Sequence, residues 1–79
     1  MTAEEIFESL GYKCRYIKQC IHYEKFNSFG RMITEIKFDL REKTYCCICG
    51  MAIRIPNDKE KEAIKQQIQE LDWKEKVTV

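Results

Sequence analysis

Three of the five cysteines of this 79-residue chain fall in one run, Thr44-Tyr45-Cys46-Cys47-Ile48-Cys49-Gly50. Cys46-x-x-Cys49-Gly50 has the spacing of a zinc knuckle or a redox dithiol. A structural zinc site takes four ligands, usually a tight knuckle and a distant second pair. That second pair would come from Cys14, Cys20 and His22, the single histidine. Cys14-x5-Cys20 is no knuckle and Cys20-x-His22 is a looser chelate, so the zinc candidates are Cys46, Cys49, Cys20 and His22. Thioredoxin-like reactivity needs a helix N-terminus beside the thiol, and no helix follows Cys49 directly. A Cys20–His22 nucleophile with Glu24 on the same strand face lacks any motif for an orienting group or an oxyanion hole. The competing explanation is packing, since free cysteine behaves as a small, buried hydrophobe. On that reading Cys46 to Cys49 is a strand, and it is the better supported one. No catalytic residue and no cofactor are expected.

A second constellation mixes cations and aromatics: Lys13, Arg15, Tyr16, Lys18, Tyr23 and Lys25. Cations contact phosphates and aromatic rings stack on bases, so these six are the candidates for holding a nucleic acid. Strand alternation works against them, because exposing the cations buries one set of aromatics. No RNP-like or helix-turn-helix signature accompanies them.

The chain allows one domain, residues 1–79. Area scaling gives about 63% of the unfolded surface buried, enough for one thin core but not for a deep enclosed active site. A hydrophobic content of 44% with 34% charged residues is that of a globular protein. The net charge of +1 hides an acidic start, a basic middle and a balanced end. No apolar run approaches the roughly 20 residues that cross a bilayer, and the N-terminus lacks a signal-peptide core. A cytoplasmic location with reduced thiols is therefore expected.

These residues must be positioned by short elements. Thr2 with Glu5 forms a capping box ahead of the stripe Ile6, Phe7, Leu10, and Gly11 ends that helix. Tyr12 to Ile17 and Cys20 to Phe26 read as a hairpin around Lys18-Gln19, and Asn27 to Gly30 as a turn. Met32 to Leu40 alternates cleanly, with Thr34, Ile36, Phe38 and Leu40 on one face. Thr44 to Cys49 returns as a strand, and Met51 to Ile55 continues as a short one. Asn57 or Asp58 caps a last helix whose stripe is Ala63, Ile64, Ile68, Leu71 and Trp73, with Lys59, Glu60, Lys61, Glu62, Lys65 and Glu70 on the wet side. The tail from Lys74 to Val79 frays or adds an edge. The result is an α+β domain of order α-β-β-β-β-α, an antiparallel sheet with both helices packed on one face.

The strand Thr44 to Cys49 is apolar on both sides: Tyr45, Cys47 and Cys49 on one, Cys46 and Ile48 on the other. Such a strand must be covered on both faces. Tyr45, Cys47 and Cys49 are accordingly the candidates for an interface with a second copy or another protein.

The blocks Thr2-Ala3-Glu4-Glu5 with Leu10-Gly11-Tyr12, Ile36-Lys37-Phe38-Asp39 with Lys43-Thr44-Tyr45, and Ala63-Ile64 through Glu70-Leu71-Asp72-Trp73 resemble small proteins encoded by phages and prophages of Gram-positive bacteria. That pattern usually has Gly before the final Trp, where this chain has Asp72. The resemblance implies an origin and a compartment, the bacterial host cytoplasm, and no active-site residue. The expectation is thus a non-enzymatic interaction module that self-associates or binds a host or phage protein, with no membrane and no small-molecule substrate. A nucleic-acid-binding module is the alternative, and a zinc-stabilised domain comes third.

Overall fold

The computed structural model describes residues 1–50, 52–53 and 55–73. The expectations for Met51, Arg54 and the tail from Lys74 lie outside the described residues. Helix α1 spans Ala3–Ser9, strands β1 to β4 span Lys13–Ile17, Cys20–Phe26, Met32–Asp39 and Thr44–Cys49, β5 is Ala52–Ile53, and helix α2 is Asp58–Glu70. The strands form one antiparallel meander in the order β1-β2-β3-β4-β5.

Local chemistry sets the ends of each element. Thr2 accepts from the amide of Glu5 while the Glu5 carboxylate accepts from the amide of Thr2, and Asn57 and Glu60 repeat this box at α2. Asn57, not Asp58, is therefore the second cap. Both helices close with the same paired bonds. Tyr12 N–H reaches Phe7 O and Gly11 N–H reaches Glu8 O; Trp73 N–H reaches Ile68 O and Asp72 N–H reaches Gln69 O. This is the Schellman arrangement, which needs a left-handed residue after the cap. Gly11 supplies it at φ 96° and Asp72 at φ 58°.

The loops between strands are held by short polar side chains. Asn27 Oδ1 accepts from the amides of Phe29 and Arg31, and Asp39 Oδ1 from those of Arg41 and Glu42. The β2–β3 register shifts at Lys25/Phe26, so Phe26 lies opposite Met32 and Ile33 is the extra residue of a bulge.

Both helices pack on the face that carries Ile21, Tyr23, Ile36, Phe38 and Cys47, joined by Phe7, Tyr12, Ala63 and Ile64. The Phe7 ring stacks on Tyr23 at 3.9 Å and meets Tyr12 edge-on at 5.6 Å. Burying each such side chain contributes about 2–3 kcal/mol. The helices also meet end to end, since the Ala3 amide donates to the Glu70 carboxylate at 2.8 Å, where the positive end of α1 favours an anion.

Glu60 departs from the expected wet side of α2. It is buried and accepts from the Tyr12 hydroxyl at 2.6 Å. Gln67, seven residues on, is also buried and accepts from the Tyr23 hydroxyl. Positions 60, 63, 64 and 67 share one helical stripe, so α2 sets two polar groups into the core opposite two tyrosines.

Candidate functional site on the open face of the sheet

With both helices on one side, the other face of the sheet carries no second layer among the described residues. Pairing register shows which side chains it holds. Lys13, Arg15 and Ile17 of β1 lie beside Glu24, His22 and Cys20 of β2. Those three face Glu35, Lys37 and Asp39 of β3, which in turn face Ile48, Cys46 and Thr44 of β4. Ile53 of β5 pairs with Ile48.

A polar cluster sits near the middle of this face. His22 Nδ1 and Glu35 Oε2 are 2.6 Å apart. Glu24 lies directly opposite Glu35, is 5% exposed, and accepts from Arg15 Nη2 at 3.0 Å. One ligating atom from each of His22, Glu24 and Glu35 falls within 4.8 Å of the others. Beside it, Met32, Ile33, Thr34, Glu35, Ile48 and Gly50 line a shallow depression of about 100 Å³.

The zinc candidates do not converge. Cys46 pairs with Lys37 and Cys49 with Thr34, so one projects from the open face and the other from the helix-covered face. Cys20 and His22 share the open face with Cys46, but Cys20 sits in the Asp39 row and all of β3 separates His22 from Cys46. His22 instead meets two glutamates. Its alternation with Cys20 and Glu24 was visible in the sequence, whereas the arrival of Glu35 depends on the β2–β3 register.

The interface candidates are placed on the helix side. Cys47 is buried in the core, Tyr45 is half exposed with its ring 5.7 Å from Phe38, and Cys49 is exposed. The strand is apolar on both sides as expected, but its uncovered side holds Cys46 and Ile48. The basic and aromatic set is divided between surfaces. Lys13 and Arg15 lie on the open face. Tyr23 is buried in the core, Lys25 lies over the Tyr12 ring at 4.9 Å, Tyr16 is exposed on the helix side, and Lys18 occupies the β1–β2 turn at φ 53°.

Burial pushes the Tyr23 hydroxyl far above its ordinary pKa, and burial likewise raises the Cys14 thiol. Both groups are held neutral, as packing groups are. No helix among the described residues is long and apolar enough to cross a membrane. No protein-family model, no curated protein and no solved structure matches the chain.

Proposed function

We propose that this chain is a small accessory protein of the phage or prophage kind, without enzymatic activity, that associates with a second copy of itself through the open face of its sheet. The observation carrying this reading is the position of Cys46 and Ile48. They are the second apolar side of β4, only half-buried, and no second layer of the described structure lies over that side. Around them on the same face Ile17 is 37% exposed, Ile33 39%, Phe26 40% and Ile53 81%. Removing such area from water is worth about 25 cal/mol per Å².

Charge favours a second copy over a polyanion. The face carries Lys13, Arg15 and Lys37 against Glu24, Glu35 and Asp39, so a second copy meets no net like charge. A polyanion would meet three carboxylates, and Arg15 is already engaged by Glu24. The placing of Tyr23 in the core and Tyr16 on the helix side weakens the nucleic-acid alternative further, because no aromatic ring of the candidate set is left on this face. Phe26 is the ring that the described structure offers to a base there.

Sedimentation of the purified chain across a concentration series tests the proposal. Self-association is expected, weakened by Ile48→Lys and unaffected by Glu62→Lys on the solvent side of α2. A wild-type monomer at millimolar concentration overturns it, as does association that Ile48→Lys leaves intact in a folded variant. Retention of such a monomer on single-stranded DNA at low salt would favour the nucleic-acid alternative.

A further inference from the structure

We propose that His22, Glu24 and Glu35 form a binding site for a divalent transition-metal ion of the zinc class, complete within one copy of the chain. The donor set is one imidazole nitrogen and two carboxylates, all projecting from the open face of the adjacent strands β2 and β3. Three protein ligands with a free fourth position are a common zinc arrangement. The imidazole favours zinc, cobalt or nickel over calcium, which takes six to eight oxygens.

Two features beyond the donor set point to a cation. Glu24 and Glu35 are directly opposed across the ladder, a like-charge pairing that is destabilising by itself. Glu24 is also buried, although this face has no helix over it. Among the described residues the cation paired with Glu24 is Arg15, which holds a single oxygen, Oε2, and whose own side chain is 60% exposed. A carboxylate has two oxygens, so Arg15 can keep Oε2 while Oε1 turns to the metal. Partners of this sort orient ligating carboxylates.

The geometry is close to what is required. Zinc–nitrogen and zinc–oxygen bonds of about 2.0–2.2 Å put tetrahedral ligand atoms roughly 3.4 Å apart. The observed atoms lie within 4.8 Å of one another, and His22 Nδ1 and Glu35 Oε2 are closer than that already. Binding requires side-chain rotations that open the 2.6 Å contact and shorten the longer separations to ligand spacing. Metal entry displaces the His22–Glu35 contact: the proton between Nδ1 and Oε2 exchanges with solvent, the ring keeps one proton on Nε2, and the Nδ1 lone pair and the Glu35 carboxylate bind the ion. Lys13 lies beside Glu24 and Lys37 beside His22; their charges moderate the affinity.

The test uses untagged full-length chain stripped with chelator. Calorimetric titration with Zn²⁺ is expected to give one ion per chain at concentrations where sedimentation shows the monomer. Glu35→Gln keeps a hydrogen-bond acceptor for His22 and should weaken binding by at least about tenfold; His22→Gln should do the same, and Cys46→Ser should not. Co²⁺ should bind with the visible bands of a nitrogen–oxygen site and without thiolate charge transfer. No binding at millimolar Zn²⁺, full affinity in a folded Glu35→Gln, or a thiolate band lost in Cys46→Ser or Cys20→Ser each overturns the proposal. Because the site lies within one copy, loss of self-association leaves this result unchanged, and the two readings fail separately.

Discussion

Cys46 and Cys49 project from opposite faces of β4, the first beside Lys37 and the second beside Thr34. Side chains on a strand alternate, so residues three apart never share a face. Their Cα atoms are roughly 10 Å apart at about 3.3 Å per residue, beyond the ~7 Å that a disulfide tolerates.

The two thiols should therefore behave independently. In the folded chain a thiol reagent should modify exposed Cys49 first and buried Cys47 last. Mild oxidation should produce no Cys46–Cys49 disulfide. Peptide mapping after timed alkylation measures both, and a Cys46–Cys49 cross-link in native protein would contradict the strand.

Tyr23 and Gln67 offer a stability test. Tyr23→Phe removes the donor to a buried amide oxygen and should cost about 1–3 kcal/mol. Replacing both partners by apolar groups, Tyr23→Phe with Gln67→Leu, should recover a large part of that loss, because nothing polar is left unsatisfied. Urea melts of the two variants give the comparison. Equal stability of the single and double variants would show that the bond does not organise the core.

The same tyrosine predicts an alkaline limit. In the unfolded chain its hydroxyl ionises near pH 10, whereas burial holds it protonated in the fold to much higher pH. Below pH 10 both states keep the proton and the full stability is present. Above it only the unfolded chain gives the proton up, so stability falls as pH rises, by up to about 1.4 kcal/mol per unit. The raised Cys14 thiol adds loss of the same sign from about pH 9. Melts from pH 8 to 11 should show this slope, and Tyr23→Phe should flatten it.

Helix ends give the fourth prediction. Asp72 holds a left-handed conformation that glycine adopts freely, so Asp72→Gly should stabilise the chain by up to about 1 kcal/mol. Gly11→Ala should destabilise it by about 1–2 kcal/mol, since φ is 96° and the new Cβ would stand 3.4 Å from Lys25 Cε. A lower melting temperature for Asp72→Gly would contradict the observed Trp73–Ile68 closure.

The helices, the strand boundaries and the meander were legible because they rest on signals within a few residues of one another. Thr2 with Glu5, Gly11, the alternation from Thr34 to Leu40 and the Ala63–Ile64–Ile68 stripe each act locally. Glu60 was misplaced because a glutamate in a first helical turn reads as solvated. Its carboxylate accepts from the Asn57 amide nearby and from the Tyr12 hydroxyl, 48 positions away in the chain, and that distant partner is invisible to local sequence rules. Glu35 escaped notice as a neighbour of His22 for the same reason, since alternation names a face but not what lies across it.

By itself the sequence determined the element order, the Thr2–Glu5 capping box and the fact that β4 is apolar on two sides. Tertiary structure decided which of those sides is covered. The helices pack over Cys47 and leave Cys46 and Ile48, each half-buried, on the side without a second layer, and the β2–β3 register sets Glu24 against Glu35 beside His22. Local rules follow from backbone geometry within one turn or one strand. Layer placement and strand register depend on contacts between residues distant in the chain, where the burial of Tyr23, Ile36 and Phe38 beneath α1 and α2 settles the arrangement.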